Sequence, residues 1–336
     1  MNSAVGKILV VGGNGFIGSA VCKAALARGV QVTSVSSSGR PYRTPKGHSP
    51  AWTSKVNWKK GDALNPQTFA DLLAETDGVV HTLGTLIENS SYKRAVEQGN
   101  LPTLIGSVFE SLLNGDGNPL HHKPQSENLK SYEVMNRDSA LRVCEAFLSV
   151  GASADWSANT PRPFIYISAE DIFRPIIPAR YIKTKREAEQ GIGHMMFGKS
   201  GYRSVFMRPS LVYHAHLRPL TTPAAALLDL SATIHRILPR GIPTPSNILR
   251  SLGSSQQSTT QSSFEGDVDA ESSFISIANA LTIPPIHVDH VADAICVALD
   301  SRNDVRGVVG VSRMRELIGW SAGGRGQSGG VGLPES

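Results

Sequence analysis

The sequence predicts an α/β fold, a doubly wound parallel sheet with helices on both faces, followed by a small C-terminal lobe. Three observations predict this fold class. Short apolar runs alternate with helical patterns over the first part of the 336 residues, as in parallel α/β sheets. The first apolar run ends in glycines that open a helical pattern. After Arg208 the alternation stops, and the pattern becomes that of a separate lobe.

Each predicted strand is a short apolar run, and each predicted helix repeats apolar residues at intervals of three or four. The strands are Lys7–Val11, Val30–Val35, Val56–Trp58, Gly78–His81, Phe164–Ser168 and Ser204–Arg208. The helices between them are Phe16–Arg28, Pro66–Glu75, Tyr132–Val150 and Tyr181–Phe197. Residues 86–130 are irregular, and we expect an insertion over the C-terminal edge of the sheet, where ligands bind in such folds.

The glycine-rich segment after the first strand predicts a phosphate-binding turn. Glycines let the backbone turn tightly and approach a pyrophosphate, and the next helix points its N–H groups at the anion. Such a motif is weak evidence alone, but here it follows a predicted strand and opens a predicted helix. The sequence therefore predicts a Rossmann-type dinucleotide site, in which the cofactor contacts are Gly12, Gly13, Asn14, Gly15, Phe16, Ile17 and Gly18.

The predicted organisation is a nucleotide-binding domain over residues 1–213, with the insertion at 86–130, and a C-terminal lobe over 214–316. Within the lobe, we expect a helix at Thr222–Leu238, a low-complexity loop at 251–273 and a segment at 284–300 that packs back on the core. Residues 317–336 are rich in Gly and Ser, and we expect a disordered tail.

Composition narrows the class of protein. Hydrophobic residues make up 40% and charged residues 18% of the chain, which is typical of a globular protein. The net charge of +5 comes from scattered Lys and Arg, so nucleic-acid binding is not predicted. No apolar run is long enough for a transmembrane helix. The first strand begins at Lys7, so the sequence predicts a cytosolic protein or one that reaches an organelle by an internal signal.

The end of the second strand favours NADP(H) over NAD(H). An NAD site usually offers Asp or Glu to the ribose hydroxyls at this point. Here the chain instead reads Ser36-Ser37-Ser38-Gly39-Arg40. The hydroxyl of Ser36 and the guanidinium of Arg40 suit a 2′-phosphate, although Arg40 would equally suit an exposed surface.

Tyr181 and Lys185 form a candidate catalytic pair. Their spacing of four residues puts both side chains on one face of a helix. A phenol has a pKa near 10, and a nearby ammonium lowers it toward the range that proton transfer needs. Ser168 ends the preceding predicted strand, and its hydroxyl could orient a substrate oxygen toward Tyr181.

Together these motifs resemble the short-chain dehydrogenase/reductase superfamily, in its extended and atypical branches, over about residues 5–300. The resemblance implies a catalytic tetrad of Asn136, Ser168, Tyr181 and Lys185, with Lys185 also holding the nicotinamide ribose. It implies that Asp62 meets the adenine and that the backbone at Thr82, Leu83 and Gly84 passes the nicotinamide. Arg208-Pro209-Ser210 resembles the element that borders cofactor and substrate.

Further motifs resemble a fungal group of mitochondrial short-chain-dehydrogenase-like proteins of coenzyme Q (ubiquinone) biosynthesis. They are Val79–Asn89 with Tyr92-Lys93, Tyr166–Ala169 and Ile177–Glu189. That group is related to the accessory subunit of respiratory complex I that holds NADPH. The resemblance implies a peripheral protein on the matrix side of the inner membrane, with the coenzyme Q biosynthetic complex as partner. From about Leu317 the chain departs from the family's helical end.

Several functions stay open at this point. The chain could be an oxidoreductase, a nucleotide-binding structural subunit without turnover, or an epimerase or dehydratase that uses the same Tyr–Lys pair. Histidines at 214 and 216, and His287, Asp289 and His290, invite a metal site. Two short groups so far apart in sequence are usually unrelated, and the family has no metal, so no metal site is predicted.

Overall fold

The computed structural model describes residues 5–85, 131–151, 160–174, 177–215, 217, 221–237, 244–255 and 265–320. Its centre is a seven-stranded sheet in which every neighbouring pair is parallel. The strands are β1 (Lys7–Val11), β2 (Gln31–Ser36), β3 (Asn57–Lys60), β4 (Gly78–His81), β5 (Arg162–Ile167), β6 (Tyr202–Arg208) and β9 (Gly307–Gly310). The order β3-β2-β1-β4-β5-β6-β9 is that of a doubly wound sheet. The predicted Rossmann-type fold is confirmed.

The helices of this domain cover both faces of the sheet. They are α1 (Phe16–Ala27), α2 (Ala70–Ala74), α3 (Ser139–Ser149), α4 (Ala179–Met196), α8 (Val288–Leu299) and α9 (Val311–Leu317), where α5 to α7 are the lobe helices defined below. Two predicted helices are interrupted. Pro66–Glu75 begins as a 3₁₀ turn, Pro66–Phe69, before α2, and Tyr132–Val150 begins as a π-helical turn, Glu133–Asp138, before α3.

The core is built from strands that are buried on both faces. In β1, Ile8 and Val10 face one cluster while Leu9 and Val11 face the other, because successive side chains of a strand point to opposite faces. The first cluster includes α1 and α8, and the second includes α3 and α4. This two-sided burial explains why the strands read as continuous apolar runs rather than alternating ones.

The C-terminal lobe contains α5 (Thr221–Ile237), α6 (Pro245–Ser255) and α7 (Glu265–Thr282). The predicted loop at 251–273 is therefore wrong where these helices cover it, and 256–264 lies outside the described residues. Ser and Gln made the segment resemble a loop, but Phe274, Ile277, Ala278 and Leu281 follow a helical period. In the described part of the chain, no helix is both long and apolar enough to cross a membrane.

After the lobe, the chain returns to the sheet. A short parallel pair, β7 (Val212–Tyr213) with β8 (Ile286–His287), leads into α8, which packs on α1. The predicted lobe at 214–316 therefore ends too late, because β9 pairs with β6 as the seventh strand.

The predicted tail also begins too early. Leu317 ends α9, and the Trp320 ring packs 4.6 Å from the His290 ring. Residues 321–336 and the predicted insertion at 86–130 lie outside the described part.

Candidate active site

The glycine turn joins β1 to α1 at the C-terminal edge of the sheet. Gly12 has φ +90° and donates its N–H to the Val35 carbonyl at 2.8 Å, while the Gly15 N–H bonds the Gly12 carbonyl at 2.9 Å. A Cβ atom on Gly18 would lie 2.2 Å from the Gly12 oxygen. Helix α1 starts at Phe16 with no side chain capping it, and the first turn of a helix has no intrahelical acceptors for its N–H groups. The turn therefore has the form of an anion-binding cradle.

Thr82 holds the glycine turn from the end of β4. Its hydroxyl lies 2.9 Å from the Val11 carbonyl and 3.1 Å from the Gly12 carbonyl, and its own N–H bonds Val11 as well. A Cβ atom on Gly12 would lie 2.8 Å from Leu83 Cδ2. The predicted contacts at Thr82 and Leu83 thus form the second wall of the cradle.

The loop after β2 forms the rim beside the cradle. Ser36 Oγ accepts the Gly39 N–H at 3.1 Å, and Ser38 Oγ accepts bonds from the Arg40 N–H and from the Asn14 amide. The Arg40 side chain is exposed. Asp62 is also exposed and lies close by, since the N–H of Gly61 bonds the Ser36 carbonyl at 3.0 Å, and its Oδ1 accepts the Leu64 N–H. The residues predicted to contact the adenosine half of the dinucleotide cofactor therefore lie close together.

A π-helical turn places Asn136 against the strand end of β4. Its side chain accepts the Thr85 N–H at 2.9 Å and donates to the Thr85 carbonyl at 3.2 Å. The Tyr166 hydroxyl donates to the Asn136 backbone carbonyl, within the π-helical turn that interrupts the predicted helix. A Cβ atom on Gly84 would lie 2.8 Å from Lys185 Nζ and 2.9 Å from Asn136 Oδ1. Gly84 thus allows the backbone to pass both predicted tetrad members.

His81, at the end of β4, contacts Ser139 just after the π-helical turn. The hydroxyl of Ser139 donates to the Met135 carbonyl, so the His81 Nε2, at 3.4 Å, is the donor to Ser139 Oγ. Burial, and then the charge of Lys185, lower the pKa of His81 to about 3. His81 is therefore a neutral imidazole that links β4 to the π-helical turn.

Lys185 is buried where these elements converge. Its Nζ donates to the Ile167 carbonyl at 2.8 Å and lies 4.8 Å from the centre of the Tyr166 ring and 6.0 Å from that of Tyr181. Burial lowers the pKa of Lys185 to about 7, and the charge of Glu189 opposes that shift. Near neutral pH, the side chain is thus able both to hold and to release a proton.

Tyr181 lies one helical turn before Lys185 on α4. Its ring packs edge-on against Tyr132 at 5.9 Å, and among the described residues its hydroxyl has no hydrogen-bond partner. The expected lowering of its pKa by Lys185 is wrong for this structure. Burial raises the pKa of Tyr181 above its usual value, with a further rise from Tyr132 and an opposing effect of Arg186. The phenol therefore stays protonated and can donate to a substrate oxygen.

Ser168 lies at the end of β5 beside two charged residues of α4. Its Oγ accepts a bond from Arg186 Nη1 at 3.1 Å, and Arg186 also binds Glu189 Oε1 at 2.8 Å. Arg208 binds Glu189 through Nε at 2.9 Å and through Nη2. Burial raises the pKa of Glu189, but hydrogen bonds from Arg208 and Ser168 outweigh it and lower that pKa. The Arg208 guanidinium is thus held by Glu189, and its predicted contact with the cofactor stays a prediction.

Four residues of the site have no assigned role in the sequence interpretation: His81, Tyr166, Arg186 and Glu189. Arg186 and Glu189 follow Lys185 at one and four residues, and a polar His81 ends an otherwise apolar strand. A buried position for a charged or polar side chain is the signal that could have drawn attention to them.

The histidines assigned to unrelated groups in the sequence do meet in the fold. Pairing of β7 with β8 brings ligand atoms of His214, His287 and Asp289 within 4.8 Å of one another. In both histidines, however, Nδ1 accepts a backbone N–H, from Leu217 and Asp289 respectively. That bond puts the ring proton on Nε2, whereas a histidine that binds metal through Nε2 donates from its other nitrogen. His216 lies outside the described residues, and the absence of a metal stays a prediction.

The buried ammonium of Lys185 predicts a pH-dependent stability. Its pKa is about 7 in the folded protein against 10.5 in the reference state, so between these values the unfolded chain binds more protons and stability rises with pH. From pH 7 to pH 8, the free energy of unfolding should rise by about 1 kcal/mol from this group. Lys185→Met should remove that increment in urea titrations, and Lys183→Met, on the exposed face of α4, should retain it. An unchanged pH profile in Lys185→Met would contradict the assignment.

Comparison with known proteins finds a matching family model and an extended relative. The model of the NAD dependent epimerase/dehydratase family matches residues 8–101, the part that holds the glycine turn and the first four strands. MIOREX complex component 2 of Saccharomyces cerevisiae is 36% identical over 215 residues, which are 62% of this chain and 74% of the yeast protein.

Solved structures show the same fold at low sequence identity. A short-chain dehydrogenase/reductase family oxidoreductase from Burkholderia thailandensis has a TM-score of 0.52 at 14% identity, covering 94% of this chain and 98% of that one. BdcA, solved in complex with NADPH, has a TM-score of 0.50 at 11% identity and covers 90% of this chain and 91% of its own.

Proposed function

Because the chain belongs to the short-chain dehydrogenase/reductase superfamily, we propose that it is an oxidoreductase that binds NADP(H) and interconverts a carbonyl and a carbinol. The observation that carries the proposal is the convergence of four groups at one edge of the sheet. Tyr181 and Lys185 share α4, Asn136 lies on the π-helical turn, and Ser168 follows β5. Lys185 Nζ lies 6.0 Å from the Tyr181 ring, a Cβ atom on Gly84 would lie close to both Lys185 and Asn136, and Ser168 bonds Arg186, the residue after Lys185.

The chain's own residues can carry the proton chemistry. The cofactor, when bound, supplies or accepts the hydride. In the reducing direction, Tyr181 donates its phenolic proton to the carbonyl oxygen. Its raised pKa keeps the phenol protonated until then, and its hydroxyl has no hydrogen-bond partner in the described part of the chain. Lys185 then supplies a proton to the phenolate, for which a pKa of about 7 is well matched. We expect Ser168 and Arg186, which share a hydrogen bond, to lie beside the reacting oxygen.

The NADP(H) preference rests on the loop after β2, which has hydroxyls and Arg40 but no carboxylate. Arg40→Met should weaken NADPH binding about tenfold, since charge-assisted hydrogen bonds contribute about 1.5–3 kcal/mol, and should leave NADH binding unchanged. Ser36→Asp should move the preference toward NADH. Titration calorimetry with both nucleotides measures the ratio, and Arg43→Met, also exposed on this loop, is the control. Equal losses for NADPH and NADH in Arg40→Met would contradict the preference.

We further propose a role in mitochondrial ubiquinone biosynthesis, at the matrix side of the inner membrane with the coenzyme Q biosynthetic complex as partner. The support is the likeness of Val79–Asn89 and Ile177–Glu189 to that fungal group. The experiment is to add the protein, with NADPH carrying deuterium at C4, to mitochondrial extract from cells that lack it. Deuterium should appear in a quinone-pathway intermediate, and its absence from every such intermediate would overturn this role.

A second candidate is a nucleotide-binding structural subunit without turnover. Its support is the description of the yeast relative as a component of a complex. An epimerase or dehydratase is a third, supported by the family model that matches residues 8–101. Both would bind the nucleotide in the same cradle, but neither would release deuterated product in the experiment above.

A further inference from the structure

A permanent positive charge lies beside the residue expected to orient the substrate oxygen. Arg186 Nη1 is 3.1 Å from Ser168 Oγ, and Arg186 Nη2 binds the Ala169 carbonyl at 2.9 Å. These bonds fix the guanidinium at the end of β5. Its charge also reaches the catalytic phenol, because it opposes the rise in the pKa of Tyr181.

Arg186 retains donors that the described part of the chain does not use. A guanidinium carries five N–H groups. Arg186 uses three of them to bind Ser168, Glu189 and Ala169. The Nε–H and one Nη2–H have no acceptor among the described residues. The side chain is 25% exposed, so it is partly accessible to a ligand.

The charge of Arg186 is only partly neutralised. Glu189 is shared with Arg208, which binds it through two nitrogens, so the three side chains together carry one net positive charge. Asp171 is paired with Arg174. Glu170 also lies near this group; burial raises the pKa of its carboxyl, and the charges of Arg186 and Arg208 oppose that rise. Glu189 alone therefore does not neutralise both guanidinium groups.

We propose that Arg186 recognises a carboxylate that the substrate carries one or two carbons from its reacting carbonyl. A planar guanidinium with accessible donors matches a carboxylate, and a single hydrogen bond separates it from Ser168. This inference rests on the proposed oxidoreductase function and adds the substrate class, a keto acid or the corresponding hydroxy acid. A purely structural role would need only the bonds to Glu189 and Ala169, and it would not distinguish an acid from its ester.

The test compares acids with neutral analogues on protein saturated with NADP⁺. Titration calorimetry measures Kd for pyruvate and acetoacetate and for their methyl esters. In the parent protein, at least one acid should bind about tenfold more tightly than its ester. Arg186→Met should remove that preference, Arg186→Lys should retain part of it, and the control Lys183→Met should leave it unchanged.

Each outcome decides the proposal. An acid preference that Arg186→Met abolishes supports it, and so does a preference that Arg186→Lys partly restores if the methionine variant does not fold. Equal binding of acids and esters by the parent protein, no binding of either, or a preference that persists in Arg186→Met would overturn it. Saturation with NADP⁺ is measured first, so loss of nucleotide binding would count against the proposed function instead.

Discussion

Replacing Gly15 with aspartate is expected to abolish dinucleotide binding while leaving the fold at least as stable as in the parent protein. Gly15 is the N-cap of α1, with extended backbone at φ −81° and ψ 177°, which any residue adopts. A Cβ atom there would lie 3.2 Å from the Gly12 oxygen, so a small adjustment accommodates it. Aspartate is also a favourable N-cap and complements the helix dipole.

The same carboxylate would occupy the region where a pyrophosphate is expected. Two like charges about 4 Å apart repel by about 4 kcal/mol at the effective dielectric constant of a protein surface, so the affinity for NADPH should fall by about a hundredfold or more. Fluorescence titration measures the affinity and urea titration the stability. A hundredfold loss without unfolding would separate the anion-binding function of the turn from its structural one.

Two matched variants control this experiment. Gly15→Asn has the same shape and cap preference without the charge, so it should keep the stability and most of the NADPH affinity. Gly18→Ala should behave in the opposite way. Its Cβ atom would lie 2.2 Å from the Gly12 oxygen and 2.8 Å from Gly13 Cα. Because both are backbone atoms, the glycine turn itself would have to shift. Overpacking of this kind costs about 1–3 kcal/mol. If Gly15→Asp binds NADPH normally, the cradle assignment is wrong.

The parts of the fold that the sequence predicts are those encoded locally. The apolar run of β1, the glycine turn and the period of α1 lie within residues 7–27, and each has a physical signature in the sequence. By contrast, β9 is Gly307–Gly310, four residues that become a strand only by pairing with Arg208 and its neighbours. Such a pairing depends on the return of the chain after the lobe, which no local pattern indicates.

The candidate site also has features that are encoded locally and features that depend on tertiary packing. The spacing of Tyr181 and Lys185 is a property of one helix, and so the sequence predicts it. The pKa values of these residues depend on burial, which comes from β4, β5 and the π-helical turn around Asn136. We expected Lys185 to lower the pKa of Tyr181, but the net shift of that pKa is upward, so the expected direction was wrong. The sharing of Glu189 between Arg186 and Arg208 likewise requires α4 and β6 to pack together.

Tyr181→Phe should lower the rate of deuterium transfer from C4-labelled NADPH about a thousandfold, since general acid catalysis contributes about 10²–10⁴. The variant keeps the ring that packs on Tyr132, so the fold and the NADPH affinity should be unchanged. Quinone content in cells that carry only the variant should fall accordingly. Tyr213→Phe, whose ring packs against His287, is the control and should retain the parent rate.

Lys185→Met provides the second arm, and its result separates the candidate functions. An oxidoreductase should lose transfer and quinone in both variants, because the phenol and the ammonium act in one proton path. A structural subunit should keep normal quinone in Tyr181→Phe, since only one hydroxyl is removed and among the described residues that hydroxyl bonds nothing. Normal quinone in Tyr181→Phe with intact NADPH binding would therefore exclude the proposed catalysis and favour the structural alternative.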